Sequence, residues 1–94
     1  MKVVVNNCYG RFGLSPKAQE RYWGLKGKNL AEMPREEFAN SETIERHDPV
    51  LVRLVEEMGK AADGWRARLT VIEIPDGVDY VIRDYNGMEW VAWG

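Results

Sequence analysis

The chain has 94 residues and a mass of 10.8 kDa, which predicts one domain, 1–94. Apolar residues make up 45% of it and charged residues 30%; together with the short length, these proportions exclude a multidomain enzyme, a coiled coil, a collagen-like fibre and a disordered tail. Thirteen basic residues against fifteen acidic ones give a net charge of −2, which argues against general nucleic-acid binding.

The first predicted elements are a strand and a helix joined by a glycine-containing loop. Residues 2–6 (KVVVN) are a β-branched run that predicts a strand, and NNCYGRFG at 6–13 is typical of a loop. Ser15, directly before a proline, indicates a helix start, because serine caps helices and proline suits their first turn. This helix is predicted over 16–23, before Gly24.

The second helix is the best defined of the predicted elements. Segment 24–47 before it is polar and predicts no regular structure beyond one helical turn near Pro34. Asp48 then precedes a proline, and the apolar side chains that follow recur with the period of a helix. They are Leu51, Leu54, Val55, Met58 and Ala62. This stripe predicts an amphipathic helix that ends at Gly64.

After Gly64 the apolar period changes from that of a helix to about two, which predicts strands. Residues 65–74, 78–85 and 88–93 alternate in this way, and Asn86-Gly87 between the last two runs predicts a hairpin with a type I′ turn. The order β-α-α-β-β-β predicts an α+β fold, in which one or two helices pack on a small, mostly antiparallel sheet.

Aromatic residues make up 11% of the chain, with four tryptophans, which is high for so small a protein. The strand patterns predict that three of these rings build the core: Trp65, Tyr80 and Trp90. Four others are predicted at the surface: Tyr9, Phe12, Tyr85 and Trp93. We expect Tyr85 and Trp93, on the terminal hairpin, to bind a partner or a second copy in a homo-oligomer, with a frayed terminus as the alternative.

The loop at 6–15 is the main candidate for a ligand site. Its backbone N–H groups and the following helix N-terminus suit an anion, an arginine can pair with phosphate, and a ring can stack on a base. The predicted ligand-binding residues are Asn7, Tyr9, Arg11, Phe12 and Ser15. The alternative is a tight structural connection with Tyr9 and Phe12 in the core.

Few residues could support catalysis or bind a metal. Cys8 is the only cysteine and His47 the only histidine, so neither a disulfide within the chain nor a His/Cys metal site is expected, and no cofactor is predicted. Cys8 is either a nucleophile or a small buried side chain, and His47 is expected in an exposed loop. The apolar runs are short throughout, from 3–5 near the start to 90–93 near the end, and suit neither a leader nor a membrane helix, so we expect a cytoplasmic protein without membrane contact.

Two motifs in this chain resemble those of a family of small proteins from tailed bacteriophages and prophages. Those relatives open with a strand and N-x-C-Y-G-x-F-G/S-L-S, as in residues 6–15, and close with E-I-P-D-G/D-V and Y-D-G-x-E-W-V, as in 72–91. The helix after Asp48 is also similar, whereas 24–46 departs from the pattern and Asn86 replaces an expected aspartate. The resemblance implies a shared fold and a phage origin, with action in the host cell, and no settled activity.

Three functions follow from these features. The first is a non-catalytic counter-defence factor that binds a nucleotide-like small molecule through the loop at 6–15, within a segment, 1–30, of net charge +5. The second is an inhibitor of a host defence protein, for example an anti-CRISPR, that uses the acidic surface at 31–57. The third is a small enzyme that uses Cys8. Because no catalytic signature is present in the sequence, binding without catalysis is favoured.

Overall fold

A computed structural model describes residues 1–29, Glu32 and 44–94. In chain order the elements are β1 (Lys2–Asn6), α1 (Pro16–Leu25), α2 (Pro49–Met58), a 3₁₀ turn (Gly59–Ala62), β2 (Leu69–Glu73), β3 (Tyr80–Tyr85) and β4 (Met88–Trp93). The predicted α+β fold is confirmed, with antiparallel strands throughout these elements. The helical turn predicted near Pro34 lies outside the described residues.

The strands form two separate antiparallel pairs instead of the single sheet that was predicted. Strand β1 pairs with β2, where Val4 lies opposite Val71, and β3 pairs with β4, where Ile82 lies opposite Val91. Strand β2 begins later than predicted because Arg66 has a positive φ of 60°, which breaks the extended backbone. Below, "the body" denotes β1, β2, α1 and α2, and "the hairpin" denotes β3 and β4.

Both helices begin at the predicted caps, but neither ends where the sequence indicated. The Ser15 hydroxyl accepts the N–H of Ala18 at 3.1 Å, and a carboxylate oxygen of Asp48 accepts the N–H of Val50 at 2.9 Å. Helix α1 passes through Gly24 and ends before Gly27, whose φ is +79°. Helix α2 gives way to the 3₁₀ turn at Gly59, where φ is +57°.

Strand β1 is buried on both faces, which explains its unbroken run of valines. Val4 lies in the larger apolar cluster, between the helices and the β1–β2 pair, where Leu51 and Leu54 are fully buried. Val3 and Val5 point the other way, into a smaller cluster that Ile82 and other hairpin residues cover. The body thus holds most of the core, and β1 connects it to the hairpin.

Three predicted placements of aromatic rings are wrong. Trp65 is 83% exposed and Trp90 is 47% exposed, so neither builds the core. Phe12, predicted at the surface, is 4% exposed and belongs to the larger cluster. Tyr80 is half-buried against the smaller cluster, and the larger cluster also buries the rings of Tyr22 and Trp23 of α1.

Candidate functional site

A buried ion pair between Arg46 and Glu89 joins the hairpin to the body. Two guanidinium nitrogens of Arg46 donate to the two carboxylate oxygens of Glu89, at 2.5 and 2.7 Å, and the side chains are only 7% and 8% exposed. The Asn6 backbone N–H also donates to Glu89, at 2.8 Å, and the guanidinium carbon lies 3.7 Å from the centroid of the Phe12 ring. This pair turns the Glu89 face of β4 inward and Trp90 outward, opposite to the prediction.

The buried side chain of Asn6 connects the loop at 6–13 to both strand pairs. Its amide nitrogen donates to the carbonyls of Cys8 and Gly87, at 3.1 and 2.8 Å. Its amide oxygen accepts the N–H of Arg68 at 2.7 Å and the thiol of Cys8 at 3.4 Å. The three backbone partners lie in loops or next to strand ends, where regular secondary structure does not pair them. The Asn6 side chain therefore satisfies the hydrogen bonds of these backbone groups.

Three backbone segments approach one another closely beside Asn6. The Gly10 N–H donates to the Asn86 carbonyl at 3.0 Å, and a Cβ built on Gly87 would lie 1.7 Å from the Gly10 carbonyl oxygen. A Cβ on Gly10 would in turn lie 2.0 Å from the carbonyl oxygen of Arg66. Glycines in the N-terminal and C-terminal motifs are therefore required for the motifs to pack against each other.

A groove of about 540 Å³ opens where these three segments meet. Its lining comprises Tyr9, Gly10, Arg11, Trp65, Arg66, Asn86 and Gly87. Two aromatic rings stand at the groove in contact with solvent, since Tyr9 is 61% exposed and Trp65 is the most exposed large apolar residue described. The groove therefore combines exposed rings with two guanidinium groups on a backbone held by close packing.

The two arginines of the groove differ from three of the other arginines described. Arg21, Arg46 and Arg53 each form an ion pair with a glutamate. Within 1–29 and 44–94, Arg11 and Arg66 have no carboxylate partner; the Arg66 guanidinium lies 5.5 Å from the centroid of the Trp65 ring. Both positive charges are thus available to an anion from solution.

The structure brings together only part of the predicted ligand site. Tyr9 and Arg11 line the groove, whereas Phe12 is buried beneath Arg46. Asn7 is exposed outside the lining, with its backbone N–H bonded to Arg68. The Ser15 hydroxyl caps α1 and donates to the Ala61 carbonyl at 2.6 Å, so it serves the fold.

The sequence reasoning missed Trp65, Arg66 and the Asn86-Gly87 turn as parts of the groove. The apparent alternation after Gly64 led to the assignment of Trp65 to a strand, although the glycine directly before it is also typical of a turn. The turn itself was predicted, and the positive φ values of Asn86 and Gly87, 52° and 91°, confirm its geometry. Its position against Gly10 depends on a contact between distant parts of the chain.

The two predicted partner-binding residues do not form one patch. Tyr85 and Trp93 are both exposed, as predicted, but they lie at opposite ends of the hairpin and on opposite faces, because Tyr85 pairs with Met88 and Trp93 with Tyr80. Trp93 is exposed although its face is the one turned to the body, since it stands at the far end of β4.

Cys8 and His47 have different partners. The Cys8 thiol is half-buried and lies 3.4 Å from both the Asn6 amide oxygen and the Arg66 carbonyl. His47 is exposed, as predicted; its Nδ1 lies 2.6 Å from the Tyr80 hydroxyl and its Nε2 3.5 Å from a Glu45 carboxylate oxygen. No contact between thiol and imidazole is present among the described residues, so the structure offers no assembled Cys–His pair.

Within the described part of the chain, no three His, Cys, Asp or Glu side chains cluster in a way that could hold a metal ion. No helix in 1–29 or 44–94 is long and apolar enough to cross a membrane. Comparison of the chain with protein-family models, with curated proteins and with solved structures finds no match.

Proposed function

We propose that this chain is a non-catalytic binding protein whose groove captures a small ligand that carries phosphate and an aromatic base. The observation that carries the proposal is the presence of two unpaired arginines and two exposed rings at one groove. Guanidinium groups bind phosphate through paired hydrogen bonds, and tyrosine and tryptophan rings stack on bases whatever their identity. A nucleotide is the ligand class that uses both features.

The size and construction of the groove suit capture of such a ligand. Its volume lies within the range of about 300–1,000 Å³ that is usual for small-molecule sites. Gly10 and Gly87 allow the backbone segments beneath the groove to pack in close contact. The side chains of Arg11 and Arg66 therefore extend from closely packed backbone. A site that is already rigid before binding loses little conformational entropy when the ligand binds.

A counter-defence role follows if the ligand is a nucleotide immune signal. A protein that binds such a signal without converting it lowers the free concentration of the signal in the host cytoplasm. The resemblance of residues 6–15 and 72–91 to phage proteins supports this setting.

The alternative, inhibition of a host defence protein through the acidic surface at 31–57, has weaker support. Three carboxylates of that segment are paired within the chain: Asp48 with Lys26, Glu56 with Lys2, and Glu57 with Arg21 and Arg53. Paired carboxylates offer less net charge to a basic partner. Residues 33–43, which carry further glutamates, lie outside the described residues.

Calorimetric titration tests the groove with ATP, NAD⁺, cyclic di-AMP and inorganic phosphate as probes. We expect at least one nucleotide to bind more tightly than phosphate, because only nucleotides engage the rings. Arg11→Ala or Arg66→Ala should weaken binding about 10- to 100-fold, the effect of one charge-assisted hydrogen-bonded contact. Trp65→Ala should weaken it about 5- to 100-fold through lost stacking.

Arg68→Ala is the matched control, because Arg68 is exposed, lacks an ion pair among the described residues and lies outside the groove lining. This variant should bind like the parent chain. Equal affinity of the parent, Arg11→Ala and Arg66→Ala chains would contradict the proposal. Chromatography of the ligand after incubation tests the non-catalytic part, since a converted ligand would instead support an enzyme.

A further inference from the structure

Strand β3 has one edge without a strand partner. Among the described elements it pairs with β4 alone, and the hairpin meets β1 of the body through β4. The outer edge of β3 therefore presents backbone N–H and C=O groups that another strand can pair with. A two-stranded hairpin is also marginally stable on its own, so an added strand would stabilise it.

The sequence at this edge is symmetric in charge about Val81. Asp79, the residue directly before β3, precedes it by two positions, Arg83 follows it by two within β3, and all three residues are exposed. They also line one surface depression of about 330 Å³, so the three side chains lie near one another at the start of β3. In the described chain neither Asp79 nor Arg83 forms an ion pair, so both charges are free to meet a partner.

We propose that a second copy of this chain pairs antiparallel along β3, with the two Val81 residues directly opposite each other. In this register Arg83 of each copy lies opposite Asp79 of the other, and residues directly opposite in antiparallel strands place their side chains on the same face. Two ion pairs then flank one apolar contact. The two-fold axis passes between the valines, so the assembly closes as a dimer with a four-stranded sheet.

The charges also select this register over its neighbours. Centring the pairing on Ile82 would place Arg83 opposite Val81, and centring it on Arg83 would place two arginines opposite each other. Centring it on Tyr80 would place Arg83 opposite Gly77. Only the register centred on Val81 places unlike charges directly opposite, and like charges in that position are destabilising. Charge complementarity therefore identifies a second copy as the occupant of this edge.

Sedimentation velocity of the full chain and of charge-reversal variants, over a range of concentrations, tests the proposal. We expect a dimer for the parent chain. Arg83→Asp alone and Asp79→Arg alone should each weaken dimerisation about tenfold or more, because each places like charges opposite each other twice. Mixing these two variant chains should restore a dimer, since every pair between the two kinds of chain is again acid opposite base.

A cross-linking experiment reports the register directly. In a Cys8→Ser background, which removes the chain's only cysteine, Val81→Cys should oxidise to a covalent dimer because the two thiols lie opposite each other. Tyr85→Cys, on the same face but four residues along the strand, is the matched control and should not cross-link. A monomeric parent chain, a mixture that stays monomeric, or equal cross-linking of the two cysteine variants would overturn the proposal.

Discussion

The body and the hairpin are stabilised by different kinds of interaction. The body packs apolar side chains of α1 and α2 against β1 and β2, and Leu51 and Leu54, its largest fully buried side chains, follow a simple helical period. The hairpin contributes few buried apolar residues and is attached by the Arg46–Glu89 pair, by Asn6 and by glycine contacts. Its outer face keeps a tryptophan, Trp90, in contact with solvent.

This difference has an energetic consequence. Truncation of one apolar side chain in the body leaves a cavity, and the remaining apolar contacts still stabilise the fold. Removal of one partner of a buried ion pair instead leaves an uncompensated buried charge, which is strongly destabilising. The hairpin should therefore depend on very few side chains.

Glu89→Ala should reduce the free energy of unfolding by about 3–5 kcal/mol, because the Arg46 guanidinium would remain buried without a carboxylate. Urea unfolding measures this loss. Glu73→Ala is the matched control, since Glu73 is an exposed strand glutamate, and it should change stability by about 0.5 kcal/mol or less. Replacing both partners, as in Arg46→Met with Glu89→Leu, should be less damaging than Glu89→Ala alone; a greater loss would contradict the role assigned to the pair.

Asp48→Ala should destabilise the body by about 2–3 kcal/mol at neutral pH. Asp48 caps α2 and accepts hydrogen bonds from the Tyr22 hydroxyl at 2.8 Å and from the Lys26 ammonium at 2.6 Å. Burial by itself would raise the pKa of Asp48, but the hydrogen bonds from Lys26 and Tyr22 outweigh it and hold this pKa below its usual value.

The lowered pKa of Asp48 determines how this effect varies with pH. The carboxylate stabilises the fold fully above the pKa of the unfolded chain, about 4, and this contribution is lost as the pH falls through the folded pKa. The difference in unfolding free energy between the parent and Asp48→Ala chains should thus shrink below about pH 4. Asp48→Asn retains a cap acceptor and isolates the charge. A difference that stayed constant from neutral to acidic pH would refute this account.

Trp90→Ser should have the smallest effect, about 1 kcal/mol or less, because the ring lies on the exposed outer face of the hairpin opposite Arg83. Trp23→Ser in the body is the comparison, with an expected loss of about 3–5 kcal/mol for a buried ring. Thermal and urea unfolding of both variants measure the contrast. Similar losses for both would show that the outer face of the hairpin is covered in solution.

Prediction from sequence succeeded where a local pattern carried enough information. The stripe through Leu51 and Leu54 predicted α2, and the Asn86-Gly87 pair predicted the hairpin turn, since each depends on neighbours in the chain. The faces of β4 were assigned wrongly because alternation shows two faces without showing which is buried. Tryptophan was assumed to lie inside and glutamate outside, and the charge of Arg46 reversed that order.

Only the N-terminal residues of the candidate site were predicted from the sequence. Tyr9 and Arg11 were found because a glycine-containing loop before a helix suggests an anion site, and they do line the groove. Trp65 and Arg66 join them across a long separation in sequence, through the approach of the loop at 6–13 to the chain around Arg66. Spacing within a single sequence does not reveal such a contact.

The amino-acid sequence by itself determined the helices' starts, the hairpin turn and the α+β class, because caps, proline, glycine and apolar period act over a few neighbouring residues. Only the tertiary structure decided which hairpin face is buried, which rings reach solvent and which arginines lack a partner. These outcomes depend on whether charges from distant segments meet. In this chain Glu89 meets Arg46 and is buried, whereas Arg11 and Arg66 meet no carboxylate among the described residues and remain open to a ligand.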